Sequence, residues 1–379
     1  MHRPICMIAE SLDRRRGGAE SHLADLAQSF VRAGHPVRAF LRRPGGCPAS
    51  VDAEVVPAWI GSGALGERRF ASIVQRRLAG TRGIVFSTLP LCLPEVTHYF
   101  SPGSLYRSGF ETERASFDPG LRRRLYRLGN RLNLQRRRWV AEQERLLSRP
   151  APLGVLTLSA AARRQMLQLF PLAPERVVTI PSGVDLREFR PGPVPAPRAE
   201  RLRLLFVGHN FRLKGLHCLL RALSSAGRDG LQAELTVAGG GASREFRALT
   251  ASLGLTDRVH FRGPVSAGVG ANLGELYRGS DALVHPTFAD HCSLVVLEAL
   301  ASGLPVVTTR RNGAAERMES GRHGFILEDP RDIAALAAAL LRLQDRKKLD
   351  EMRAAAIALR PQLDFADHAR GVLAWLTSE

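Results

Sequence analysis

The chain has few aromatic residues, few lysines, no paired cysteines and no long apolar run, and each shortage removes a class of protein. Aromatic residues make up 6% of the sequence. No RNA-recognition, helix-turn-helix or zinc-finger pattern accompanies them, which weighs against a nucleic-acid-binding protein despite the basic charge. The five cysteines (6, 47, 92, 218 and 292) are scattered and never form a C-x-x-C pair, so a reducing compartment is expected, with neither disulfides nor a zinc site. No run reaches the roughly 18–20 apolar residues of a spanning helix. The opening MHRPICMIAE is too short and too soon interrupted to read as a signal peptide. D-x-D is absent, so the usual carboxylate pair for a divalent metal is missing; no metal and no other cofactor is expected. Neither leading strand runs into G-x-G-x-x-G, which weighs against a nucleotide-dependent oxidoreductase. Gly61, Gly63 and Gly66 have that spacing, but no first strand leads into them.

What is present is length and positive charge. A chain of 379 residues, 45% hydrophobic and 24% charged, holds two globular domains. The net charge is +18, and 51 of the 54 basic residues are Arg. Residues 1–190 carry +14 of that charge and residues 191–379 only +4. A compositional bias toward Arg explains the choice of cation but not the asymmetry. The first half is the one that would seek anions.

Both halves begin alike. Ile5–Ile8 reads as a strand, followed by a loop ending in Gly17 and Gly18, a helix with Leu23, Leu26, Ala27 and Phe30 on one face, and a strand at Val37–Leu41. Leu204–Val207, the loop Gly208–Gly215, and a helix bearing Leu216, Leu219, Leu220 and Leu223 repeat the pattern. Strand, glycine loop, helix, strand is the start of a doubly wound sheet. Two starts about 200 residues apart predict two Rossmann-like domains, with an α/β fold overall. The proline-rich stretch Phe189–Glu200 is the expected linker. The expected division is 1–190, 191–356, and a final segment 357–379.

The segment from Asp281 to Glu316 says most about chemistry. It reads as a strand, a loop carrying Asp290, a helix carrying Glu298, and a second strand at Val306–Thr309. A ligand at the N-terminus of that helix would meet both acids. The loop Gly208–Gly215 adds Arg212 and Lys214, and a turn between strand and helix lets backbone amides approach an anion. The chain has three lysines, so Lys214 at a glycine loop suggests a need for a compact ammonium. A solvated basic turn, and acids that merely complement a helix dipole, are the plainer alternatives.

The run Glu298-Ala-Leu-Ala-Ser-Gly-Leu-Pro-Val-Val307, with an acid eight residues before it, resembles the nucleotide-sugar site of the retaining GT-B glycosyltransferases of family 4. The first acid is Asp290 where that family usually has Glu. Pro181-Ser-Gly-Val-Asp185 resembles the family's domain-closing I-P-N-G-V-D, and Gly17-Gly18 its glycine pair near the donor phosphates and acceptor. The resemblance implies two Rossmann-like domains facing across a cleft, with the last helix crossing back to the first domain. It implies transfer with retention from a nucleotide sugar, UDP-glucose being the expected donor. Lys214 and Arg212 would take the diphosphate, with Gly208 and the free N–H groups of Cys292, Ser293 and Leu294. Glu298 would accept from ribose hydroxyls and Asp290 from hydroxyls of the transferred sugar. The base is expected near Gly239, Gly240, Gly241, Phe261 and Arg262. His98 is the expected catalytic candidate beneath the sugar; a lone histidine is as readily structural.

Residues 107–149 carry a second pattern. Leu121, Leu125, Leu128 and Leu132 share a helical face, surrounded by Arg122, Arg123, Arg127, Arg131, Arg136, Arg137 and Arg138, with Tyr126 and Trp139 among them. A basic amphipathic helix with aromatic residues can lie on an anionic bilayer, and an ordinary domain helix with a wet basic face is the alternative. Its placement resembles the lipopolysaccharide core glucosyltransferase I group of family 4. That implies a glycolipid or saccharide acceptor and a peripheral location on the inner, cytoplasmic face of the plasma membrane. A soluble or exopolysaccharide acceptor, or a nucleic-acid-binding protein, are the rival readings; no nucleic-acid partner is expected.

Overall fold

A computed structural model describes residues 3–56, 64–81, 83–102, 105–192, 201–240, 243–265 and 273–378. Gly61, Gly63, Gly241 and residues 193–200 of the linker lie outside them. Contacts divide the chain into two units. One comprises Met1–Arg114, Asp118–Pro181 and Ala366–Glu379; the other comprises Ala115–Phe117 and Ser182–Phe365.

The first unit contains β1 (Ile5–Ala9), α1 (Gly18–Arg32), β2 (Val37–Leu41), β3 (Asp52–Val55), α2 (Ala64–Leu78), β4 (Ile84–Ser87), β5 (His98–Phe100), α3 (Tyr106–Ala115), α4 (Leu121–Leu132), α5 (Leu134–Leu147), β6 (Gly154–Thr157), α6 (Ala160–Leu169) and β7 (Val177–Thr179). Its strands are parallel, in the order β3-β2-β1-β4-β5-β6-β7. The second unit contains β8 (Leu202–Val207), α7 (Leu216–Arg228), β9 (Ala233–Ala238), α8 (Ser243–Ser252), β10 (Val259–Gly263), α9 (Leu273–Arg278), β11 (Ala282–His285), α10 (Leu294–Ala301), β12 (Val306–Thr309), β13 (Gly324–Leu327), α11 (Ile333–Arg342) and α12 (Arg346–Leu359). Its parallel order is β10-β9-β8-β11-β12-β13. Both orders start at a central strand, wind outward one way and then reverse, as in the doubly wound fold.

The central strands β1, β4, β11 and β12 are buried along their whole length. Helices cover both faces of such a sheet, so its strands read as unbroken apolar runs, which is why they are visible in the sequence. The edge strand β3 instead carries Asp52 and Glu54, charges that discourage further pairing. In the second unit α7 puts Leu216, Leu219, Leu220 and Leu223 into a core shared with Leu336 and Leu340 of α11.

The last helix, α13 (Phe365–Thr377), belongs to the first unit. His368 shares a hydrogen bond of 3.1 Å with His22 of α1, and its Nδ1 lies 2.9 Å from the Pro181 carbonyl. The contact-based units divide at Phe365/Ala366, and α12 continues to Leu359 and packs on α10.

Candidate functional site

In an open parallel sheet, ligands bind beyond the carboxyl ends of the strands, where the order reverses. In the second unit that point lies between β8 and β11. The loops leaving those strands are tied together. Phe288 N–H donates to the Leu213 carbonyl at 2.9 Å, and the Thr287 hydroxyl reaches the same oxygen at 3.3 Å. Gly215 makes this possible. Its φ is +80°, and a Cβ there would stand 2.1 Å from the Pro286 carbonyl oxygen. Only glycine lets the start of α7 come this close to the other loop.

The consequence is an ion pair between the two loops. Lys214 Nζ donates to Asp290 Oδ2, with the side chains 20% and 13% exposed. Burial alone would raise the Asp290 carboxyl, but Lys214, acting as charge and as donor, leaves it below the usual range. Its backbone is fixed as well, since Asp290 N–H donates to the Arg311 carbonyl at 3.1 Å and Gly313 N–H donates to its carbonyl at 2.9 Å. His285, at the end of β11, is pushed down to about 3 by burial and by Lys214, and its neutral ring meets the Ser293 hydroxyl at 3.1 Å.

The amide end of α10 is more occupied than the sequence implies. Cys292 N–H donates to Asp290 Oδ1 at 3.3 Å, and Ser293 N–H to Asn312 Oδ1 at 3.2 Å. Two of the three expected anion donors are therefore taken by side chains. Among the described residues Leu294 N–H has no such partner. Asn312 was not indicated by any motif; its carboxamide also accepts from Ala314 N–H and donates to Thr308 Oγ1, each at 3.1 Å.

Glu298 lies on α10, 9% exposed. Its Oε2 accepts from the hydroxyl of Tyr277, a wholly buried side chain on α9, at 2.7 Å. Burial pushes the carboxyl up to about 7; the Tyr277 bond opposes that and Glu188 adds to it. Tyr277 is the residue that the pattern of acids and glycines misses, because it stands twenty-one positions before Glu298 on a separate helix.

The remaining donor-site candidates separate into two groups. Gly239 is required by the fold. Its φ is +129°, and a Cβ would lie 1.8 Å from the Gly208 carbonyl oxygen, where the ends of β8 and β9 converge. Gly240 lies beside His209, and Arg262 is exposed on β10. Arg212 pairs with Glu245 and stands over the Phe246 ring at 5.9 Å.

In the first unit, Gly17 and Gly18 head α1. The arginines before them are engaged: Arg14 with Asp25, Arg15 with Asp13, and Arg16 with the Pro44 carbonyl. His98 follows β4, as expected, and lies at the start of β5, 3% exposed. Its Nδ1 meets Thr97 Oγ1 at 2.8 Å, and its ring packs edge-on to Trp375 of α13 at 4.7 Å. This is the packing of a core histidine. The expected basic helix is a group of three, α3, α4 and α5, with Asn133 capping α5 through Arg136 N–H. Leu121, Leu125, Leu128 and Leu132 of α4 are 54–71% exposed.

Residues 16–188 match the profile described as Glycosyltransferase Family 4, and residues 201–346 match that of Glycosyl transferases group 1. The chain belongs to glycosyltransferase family 4. Among curated proteins, this transferase is 34% identical over 220 residues to a D-inositol 3-phosphate glycosyltransferase of Geodermatophilus obscurus, covering 53% of this chain and 46% of that one. A second such protein, from Catenulispora acidiphila, is 34% identical over 211 residues, covering 51% and 49%. The chain thus spans about half the length of the curated relatives it matches. Among solved structures, WaaG, a glycosyltransferase involved in lipopolysaccharide biosynthesis, aligns over 99% of this chain and 100% of its own with a TM-score of 0.80 and 22% identity. HepE of Anabaena, in complex with UDP and glucose, aligns over 100% of both chains with a TM-score of 0.74 and 19% identity. At these identities the two structures establish the fold, the GT-B class with two Rossmann-like units.

Among the described residues of this family 4 chain, no group of three or more His, Cys, Asp and Glu side chains is placed to hold a metal ion. No helix among them is long and apolar enough to cross a membrane.

Proposed function

We propose that the chain transfers glucose from UDP-glucose to a membrane glycolipid of the lipopolysaccharide core type, with retention and without a metal, at the inner face of the plasma membrane. The observation that carries the reading is the Lys214–Asp290 pair at the switch point of the second sheet. A diphosphate there meets Lys214 and the open Leu294 amide, with Arg212 on the same loop. Glu298 accepts from ribose hydroxyls, and Asp290, released from Lys214, accepts from hydroxyls of the sugar. Fixed cations and amides then stabilise the departing diphosphate, the role that preorganised charge fills in many transfers. The acceptor hydroxyl attacks on the face the diphosphate leaves, and the diphosphate takes its proton.

The glycolipid acceptor is supported by the exposed leucine face of α4 beside its arginines, and by the fold shared with WaaG. The curated relatives, named for D-inositol 3-phosphate, support a soluble phosphorylated acceptor as the second reading.

The test pairs binding with turnover. At about one hundred times its dissociation constant UDP-glucose stabilises the fold by about 2.7 kcal/mol, a rise of several degrees in melting temperature, while NAD and short RNA leave it unchanged. Radiolabelled UDP-glucose should label lipid extract and not D-inositol 3-phosphate. Lys214→Ala should abolish that transfer while the circular dichroism spectrum is kept. Near-native turnover in the variant would overturn the donor-site assignment.

A further inference from the structure

Asn312 lies just beyond β12 and is 1% exposed. Its backbone forms a single parallel bridge with Asp290. Its N–H donates to the Thr309 carbonyl at 3.1 Å, and its carbonyl accepts from Ala315 N–H at 2.9 Å. The carboxamide is committed as fully as the backbone. Oδ1 accepts from Ser293 N–H at 3.2 Å and from Ala314 N–H at 3.1 Å. Nδ2 donates to Thr308 Oγ1, whose own hydrogen goes to the His285 carbonyl at 2.9 Å. The amide stands in this sense because, turned over, its NH2 would face two N–H donors. One side chain thus ties the end of β11, the loop bearing Asp290 and the start of α10.

The tie is also uncharged, and that sets α10 apart. Asp332 and Asp345 cap α11 and α12, and α1, α8 and α13 carry Glu20, Glu245 and Asp367 in their first turns. Such acids complement the positive end of a helix. Residues 294–297 of α10 are all apolar. The Ser293 side chain makes no cap bond and meets the neutral ring of His285 instead. Among the described residues the carboxylate that bonds to this end is Asp290, at Cys292 N–H, and its charge is matched by Lys214. Asn and Asp cap helices about equally well, and Asp would add attraction to the dipole. A fold that needed only a cap would accept either. A site that must also admit an anion at the open Leu294 amide, next to Ser293, needs the neutral one.

We propose that Asn312 is a positioning residue for donor binding: it holds Asp290 and the first turn of α10 with an uncharged acceptor, so that the positive end of α10 stays open to the diphosphate. The inference rests on the donor-site reading above. UDP and uridine, the same fragment without phosphate, are titrated calorimetrically into the full chain and its variants, and each variant is melted. Asn312→Asp keeps the size and the cap, and it should melt within about 3 °C of the native chain. It should bind UDP at least about tenfold more weakly, because a fixed negative charge now stands beside the phosphate, and uridine as before. Asn312→Ala removes the cap without adding charge. It should melt several degrees lower, yet weaken UDP by no more than about threefold. Thr308→Val takes away the partner of Nδ2, so it should also melt lower while keeping the native preference for UDP over uridine. UDP affinity that follows melting temperature across the three variants would make Asn312 a structural residue only and overturn the inference. So would an Asn312→Asp chain that fails to fold, or one that loses uridine and UDP alike. A native chain that binds uridine as tightly as UDP would instead remove the diphosphate site itself, and the inference with it.

Discussion

Replacing Tyr277 with Phe should move the pH dependence of donor binding upward by at least about one unit. The Tyr277 hydroxyl donates to Glu298 Oε2 at 2.7 Å and so favours the charged carboxylate. Burial pushes that carboxyl to about 7 even with the bond in place. A hydrogen bond to a charged group is worth about 1.5–3 kcal/mol and one pKa unit about 1.4 kcal/mol, so losing the bond raises the carboxyl by about one to two units. In the native chain Glu298 is then about nine-tenths ionised at pH 8 and about one-tenth at pH 6. Only the ionised form accepts two ribose hydroxyls at once. Calorimetric titration with UDP-glucose between about pH 5.5 and 8.5 isolates the protein's own titration, because the diphosphate diester does not ionise there. Affinity should fall below about pH 7 in the native chain and below about pH 8 in the variant. Coincident curves, or a flat native profile, would refute the role given to Glu298. Stability reports the same carboxyl independently. The folded state holds its proton between the ordinary 4.5 and about 7 while the unfolded chain does not, so this group's contribution falls as pH rises through that window. The loss amounts to about 3 kcal/mol and is complete just above pH 7.

Gly215→Ala should cost about 2 kcal/mol or more of stability and most donor affinity, since the residue has φ +80° and its Cβ would strike the Pro286 carbonyl. Thermal melting and UDP-glucose titration check this, and a variant unchanged in both would show that the two loops need not touch. The buried His22–His368 pair should make the fold acid-sensitive. Burial holds His368 down to about 4, and burial and its neighbour hold His22 well below the ordinary 6.5. The folded pair thus refuses protons that the unfolded chain takes up. Stability is full above about pH 6.5 and falls on acidification toward pH 4, by about 1.4 kcal/mol per pH unit for each histidine. Two histidines outweigh the opposite slope of Glu298, and urea midpoints at about pH 7 and 5 should differ accordingly, less so in His368→Gln.

The strands of both sheets are legible because a parallel sheet covered on both faces needs uninterrupted apolar runs, and β2 and β12 fall at the residues expected. The loop bearing Lys214 and the helix bearing Glu298 are legible from their glycines and the apolar spacing that follows. What escapes is what depends on tertiary neighbours. Tyr277 is an ordinary aromatic residue on a six-residue helix until α9 packs on α10. The strand around His98 shows no period in the sequence because β5 is three residues long. The basic stretch reads as one amphipathic helix because its leucines keep helical spacing. The break at Asn133 and the network around Arg136 arise only when three helices meet. For the same reason Arg136 is a poor probe of membrane binding, whereas the exposed Arg127 and Arg131 are good ones.

The Lys214–Asp290 pair bears on how a diphosphate can be taken up by fixed groups. A lone carboxylate in a pocket this covered would tend to gain a proton, since burial penalises its charge. Paired, the Lys214 ammonium holds Asp290 below the usual carboxylate range. On the proposed reading, donor binding then exchanges partners without creating an unpaired charge, phosphate replacing the carboxylate at Lys214 and sugar hydroxyls replacing the ammonium at Asp290. A free diphosphate offers only the first half of that exchange and leaves Asp290 buried without a donor. UDP-glucose should therefore bind more tightly than UDP once buffer pH excludes titration of the UDP phosphate, and Asp290→Asn should shrink the difference. A native preference for UDP that Asp290→Asn leaves unchanged would mean that Asp290 serves only to hold the lysine.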